Sequence, residues 1–264
     1  MRVFVESVGL LGPGLSGWPA SRPVLCSAAP YSHADVALPP PDRLPAAERR
    51  RTGLPVRLAL ATGLDALSRT GRSPDTLAAV FTSSEGDGQV IHEICQTLNT
   101  PERLVSPTRF HNSVHNAPAG YWSIALRSPA PSTSLCCFDW SFAAGLLEAC
   151  TQCISDGHPV LLISYDLPYP EPLHSKRPIV STLGAALLLA PQASPAGFAQ
   201  LELRIEACAR APSTMEQPAL EALRKGNPTG RALPLLRALA EPVAATVVLE
   251  YLNDSAITVE VSPC

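Results

Sequence analysis

The chain has 264 residues, 46% of them hydrophobic, only 16% charged, with a formal net charge of -3. At about 150 residues per domain this is one large domain or two small ones, with enough apolar content to exclude global disorder. The charged fraction is below the roughly 25% usual for soluble domains, which predicts a surface partly covered by a partner, and no basic block beyond Arg49–Arg51 argues for nucleic acid.

Val3 to Val8 reads as a first strand, followed by a Gly/Pro-rich loop and an irregular stretch from Pro23 to Pro45. Leu54 to Leu67 places Leu60, Leu64 and Leu67 on one helical face, with Gly71 as the stop. Leu77 to Phe81 predicts a strand that enters the loop Thr82 to Gly88, and a helix follows over about 89–98. Ser132 to Phe138 predicts another strand, running directly into a helix from Trp140 to Ser155 whose Ala143, Leu146, Leu147, Cys150 and Ile154 form an apolar face. Pro159 to Ser164 has the all-apolar character of a strand buried on both faces. After a proline-rich loop to Pro178, strands are predicted at Ala185–Leu189 and Leu201–Glu206, helices near 217–225 and 232–240, and a hairpin of Thr246–Leu252 and Ala256–Val261 turning at Asn253-Asp254-Ser255. The alternation of strands and helices predicts an α/β domain with a mixed sheet covered on both faces.

Eight cysteines stand at 26, 95, 136, 137, 150, 153, 208 and 264, too sparse for a disulfide scaffold. Met1-Arg2-Val3-Phe4 lacks a leader pattern, and no apolar run reaches about 18 residues. A cytoplasmic, reduced protein with no membrane span is expected.

The densest polar stretch is Phe110 to Ile124. His111 and His115 would share one face of a continuous helix, with Asp139 or Asp166 as third metal ligands, but Pro118 argues against a long helix and no metal is expected. Cys150 and Cys153 read as small buried residues in mid-helix rather than a redox pair. Adjacent Cys136 and Cys137, at a strand end, should point to opposite faces. Ser83-Ser84 before Glu85-Gly-Asp-Gly88 reads as a strand-to-helix turn, matching neither a phosphate loop nor a nucleophile elbow.

In order along the chain, Val3–Gly14, Leu54–Leu67, Ala78–Gly88, Asn116-Ala-Pro-Ala-Gly-Tyr-Trp-Ser-Ile124, the strand–helix passage at 132–155, and Pro178–Ala190 resemble the β-ketoacyl synthases of the thiolase fold. The resemblance covers residues 1–190 and implies a truncated thiolase-like fold, about one half of a ketoacyl synthase, with 191–264 as a shortened C-terminal extension packed on it. Those synthases deliver a nucleophilic Cys to a helix N-terminus, where the dipole and backbone N–H groups favour a thiolate and an oxyanion. Counting from Asn116, or back from Ala149-Cys150, that place falls on Asp139, and a one-residue slip makes it Trp140. Asp139 cannot form the acyl thioester that condensation requires. The synthases' two catalytic histidines come from their second half, and no His follows His174 here.

The phrases Phe110-His-Asn-Ser-Val-His-Asn116 and Tyr165-Asp-Leu-Pro-Tyr-Pro-Glu-Pro172 are similar to the shortened ketoacyl-synthase-like proteins of aryl-polyene and xanthomonadin-type pigment clusters. The resemblance implies a chain-length-factor-like subunit without cofactor, not an enzyme on its own. It would form a heterodimer with a full-length ketoacyl synthase and meet acyl carrier protein through that complex. It implies that Ser134, Leu135, Cys136 and Cys137 meet the partner across the dimer axis. Phe110, Asn112, Asn116, Trp122 and Trp140 become candidates for the acyl tunnel. Two other readings stand beside it: an independent hydrolase or decarboxylase using Asp139 with His111 or His115, and a self-associating remnant with no acyl role.

Overall fold

Burial on both faces shapes the central strands of the computed structural model, which describes residues 1–207 and 210–264. Cys208 lies outside the described residues. The first strand, β1, runs Arg2–Gly12, longer than predicted. A bulge between Val5 and Ser7 resets its alternation, so Val8 and Leu10 face the same core as Val3 and Val5. A two-residue strand β2 (Leu15–Ser16) folds back on the end of β1.

The predicted irregular stretch from Pro23 is corrected at its start. Helix α1 spans Trp18–Leu25, because Pro19 sits in its first turn, where no N–H is needed. A single turn α2 (Ala46–Arg49) and the long α3 (Leu54–Leu67) follow, the latter at the predicted bounds. Strand β3 (Ala78–Thr82) leads into α4 (Gly88–Leu98), whose first turn is capped by the Asp87 carboxylate accepting from the Val90 N–H at 3.0 Å. The polar stretch around 110–124 forms two helices, α5 (Pro107–Asn112) and α6 (Ala117–Leu126), with Pro118 in the first turn of α6. Strand β4 is Ser132–Leu135 and α7 is Ser141–Asp156. The predicted strand to Phe138 is therefore too long, and Cys136 and Cys137 lie past its end.

Strands β5 (Val160–Asp166), β6 (Leu183–Ala190) and β7 (Ala199–Glu206) come next. Helices α8 (Pro218–Gly226) and α9 (Leu233–Ala240) precede the hairpin β8 (Ala245–Tyr251) and β9 (Ser255–Pro263). One mixed sheet results, in the order β4-β3-β5-β6-β1-β7-β9-β8, parallel through β4, β3 and β5 and antiparallel beyond. Residues beyond Ala190 thus continue the same sheet, with β7 pairing the first residues of β1.

Alternate residues of β5 feed the two cores. Val160 and Leu162 pack beneath α7, while Leu161, Ile163 and Tyr165 pack beneath α3 and α6. Helix α3 lies close against the sheet at Thr62, where a Cβ on Gly9 would strike the Thr62 carbonyl and one on Gly184 its hydroxyl; both strands need glycine there. Of the two outermost strands, β8 is engaged at its middle: Ser213 N–H donates to the Val248 carbonyl at 2.9 Å and Val248 N–H to the Ser213 hydroxyl at 3.0 Å.

Candidate functional site at the beta4 to alpha7 elbow

The carboxyl ends of β3, β4 and β5 lie side by side, the place where open α/β sheets present ligands. From β4 the chain turns through a single 3-10 turn, Phe138–Trp140, into α7. Ser141 builds the turn: its hydroxyl accepts from the Cys137 N–H at 3.0 Å and donates to the Phe138 carbonyl at 2.7 Å. Thr82 on β3 anchors it by donating to the Ser141 carbonyl at 2.8 Å. Phe138 takes a left-handed φ of 52°, a conformation disfavoured for a bulky residue.

The charged groups at this elbow are paired with one another. Asp139 receives Arg177 Nη2 at 3.0 Å and stands 3.8 Å from Arg231 Nη2, and Arg231 also pairs with Glu250 of β8. Arg177 covers the Phe138 ring, its guanidinium carbon 3.6 Å from the centroid, a cation–π placement. Burial lowers the Arg231 pKa, with Asp139 pulling it back up. The Asp139 carboxylate is thus engaged by guanidinium groups on both of its oxygens. The Cys136 thiol donates to the Ser84 carbonyl at 3.3 Å. Burial, then the neighbouring Cys136, pushes the Cys137 thiol up, opposite to an activated cysteine.

Behind the elbow lies a fully buried carboxylate. Asp166 Oδ1 accepts from the Ser84 N–H and hydroxyl, both at 2.8 Å, and from the Ser83 hydroxyl at 3.2 Å. Its Oδ2 accepts from Thr229 N–H at 3.0 Å and hydroxyl at 2.7 Å. Burial pushes its pKa up while these donors pull it down. Beside it, burial raises the Glu85 carboxyl to about 8, opposed by a hydrogen bond with Tyr169.

Neither histidine has a described contact with Asp166, although His115 touches the Ser83 backbone beside it. His115 Nε2 lies 3.1 Å from the Ser83 carbonyl, and His111, on α5, meets the Tyr121 ring edge-on at 6.3 Å. No described contact links either to Asp139, so the catalytic grouping of Asp139 with His111 or His115 is not formed. Among the described residues no three His, Cys, Asp or Glu side chains gather as a metal site.

The tunnel candidates divide. Phe110 (69% exposed) and Asn116 line an apolar groove of about 490 Å³ on α5 and α6, together with Val114, Gly120, Tyr121 and Ile124. Asn112 is buried beneath it, accepting from the Tyr121 hydroxyl at 3.1 Å and donating to the Arg51 carbonyl at 2.6 Å. Trp140 sits at the elbow, its ring 6.5 Å from that of Phe138. Trp122, by contrast, is core, packed edge-on to Phe81 at 6.0 Å and against Gly63. The four residues Ser134 to Cys137 lie along and just past the sheet's free edge. Helix α4, tied to α5 by Arg109–Glu93 at 2.6 Å, is amphipathic yet fully buries no residue, and Ile91 and Leu98 stand exposed.

Arg177 and Arg231 escape a reading of the sequence, since neither lies near Asp139 along the chain. Asp166 does signal itself, as an acid closing an otherwise apolar strand.

The family described as Beta-ketoacyl synthase, N-terminal domain, matches residues 25–246. No curated protein matches the sequence. Among solved structures, the chain is similar to a chain of the ketosynthase ApeO in complex with its chain length factor ApeC from Xenorhabdus doucetiae, with 22% identity and a TM-score of 0.73, covering 98% of this chain and 99% of that one. It is also similar to a chain of AntDE:AntF, a type II PKS acyl-carrier protein in complex with its ketosynthase bound to the hexaketide (14% identity, TM-score 0.73, 100% and 99% covered). A β-ketoacyl synthase from Burkholderia phymatum STM815 is matched over 90% of this chain and 70% of its own, with 14% identity and a TM-score of 0.56. The fold is the thiolase-like one, shortened. No helix among the described residues is long and apolar enough to cross a membrane.

Proposed function

The chain belongs to the β-ketoacyl synthase N-terminal domain family, and from that membership we propose that it is a non-condensing, chain-length-factor-like subunit. It pairs in the cytoplasm with a full-length ketoacyl synthase that extends an aryl-polyene-type or fatty-acid-like chain. One observation carries this reading: the elbow offers Phe138 and an arginine-clamped Asp139 where condensation needs a thiolate. The partner supplies the nucleophile, the histidines and the contact with acyl carrier protein. The outer edge of β4 and the uncovered apolar residues of α4, α5 and α6 are the surface this subunit gives to the pair. The likeness to a chain of the ApeO–ApeC complex supports the same assignment.

Affinity purification of the chain from its native cells, followed by native mass spectrometry, tests the pairing. A one-to-one complex with a full-length ketoacyl synthase is the expected result; a homodimer or monomer free of any synthase overturns the proposal. Within the pair, Phe110→Ala shifts the distribution of product lengths while leaving the complex intact. An unchanged distribution removes the groove from the tunnel. Radiolabelled acyl groups load onto the synthase and not onto this chain; loading here that Asp139→Asn abolishes would make the subunit catalytic.

A further inference from the structure

A cavity of about 420 Å³ lies far from the elbow in sequence, at a gap in the sheet. Strand β7 pairs with β1 only from Arg2 to Val5, and β2 only at Leu11 and Gly12. Between them the backbone of β1 is served by side chains of α3 and the turn after it. Leu10 N–H donates to Asp65 Oδ2 at 3.0 Å, and Arg69 Nη2 donates to the Val8 carbonyl at 2.5 Å. With no strand filling the gap, a pocket remains there, walled by Trp18, Phe198, Leu239 and Val261.

Its charged groups are unequally engaged. Glu6 is held by Arg72 and by the Ser194 hydroxyl at 2.8 Å, and Arg237 Nε lies 3.5 Å from Glu241. Arg69 is held by Asp65 at 2.8 Å. Arg22 is different: it donates Nη2 to the Ala240 carbonyl at 3.0 Å and has no carboxylate partner among the described residues. Planar guanidinium groups bind carboxylates through paired donors, and a pocket of this size with two aromatic walls suits a small apolar body.

We propose that this cavity binds an amphipathic monocarboxylic acid, its apolar part between Trp18 and Phe198 and its carboxylate on Arg22. The site is separate from the proposed pairing with a synthase and does not depend on it.

Isothermal titration calorimetry of the purified chain with decanoate tests this, with decanol as the uncharged probe of equal length. Saturable one-to-one binding of decanoate is expected, weakened about tenfold or more by Arg22→Gln, with decanol binding indifferent to that change. Lys176→Gln, a cation outside the cavity, leaves decanoate binding as in the parent chain. Absence of saturable binding, equal affinity for decanol, or equal loss in both variants overturns the proposal. Thermal melting of Arg22→Gln separates lost binding from lost fold; an exposed arginine with one carbonyl contact shifts it little.

Discussion

Asp166 shows how one side chain can hold three segments together. Its oxygens collect five donors from Ser83, Ser84 and Thr229, so the loop after β3, the end of β5 and the turn before α9 share one acceptor. Asp166→Ala leaves the Ser84 and Thr229 N–H groups buried and unpaired, and a loss of at least about 3 kcal/mol is expected in chemical denaturation. Glu85 makes stability depend on pH. Its folded pKa, near 8, is above the ordinary 4.5, so the folded state binds its proton more tightly than the unfolded one. The stabilisation is full below about pH 4.5, fades as pH rises and is gone above about pH 8, on the order of a few kcal/mol in all. Melting temperatures measured across that window should fall with pH in the parent chain and fall less in Glu85→Gln; equal slopes would remove Glu85 as the cause. The sequence displays these acids but not their surroundings, because Arg177 reaches Asp139 across 38 residues and Thr229 reaches Asp166 across 63.

Among the elements, β4 makes the sharpest prediction. The carbonyls of Pro131 and Leu135 accept from β3 at 3.1 and 3.4 Å, so by the alternation of strand backbone the Ser134 N–H points outward. Ser134→Pro removes a donor that the isolated chain does not use, and edge strands tolerate proline in that orientation. The variant should match the parent in thermal stability within about 0.5 kcal/mol yet fail to co-purify with the synthase; retained pairing would exclude this edge from the interface. Periodicity found the strands and the long helices because burial on one or two faces leaves a repeating apolar mark. It missed α1, α5 and much of α6, each of which carries a proline in its first helical turn (Pro19, Pro107 and Pro118). Strand β4 stopped early because the elbow takes up Cys136 and Cys137.

For the whole molecule, the resemblance in the sequence reached the shortened thiolase-like fold, and the likeness to solved ketosynthase structures bears it out. How the last 75 or so residues are used was not legible, since strand partners far apart along the chain leave no local signature. Strand β7 alternates buried and exposed residues because one face meets the core and its edges lie between β1 and β9. Truncation after Ala190 bares β1 along the residues it pairs with β7, and loss of soluble protein is the expected result, read as the soluble fraction on expression. The contact of Ser213 with Val248 has a further consequence for assembly. With Val248 engaged at that rim, β4 is the sheet's fully open edge among the described residues. Pairing through β4 uses that edge up, a geometry that favours pairs over growing rows of strands.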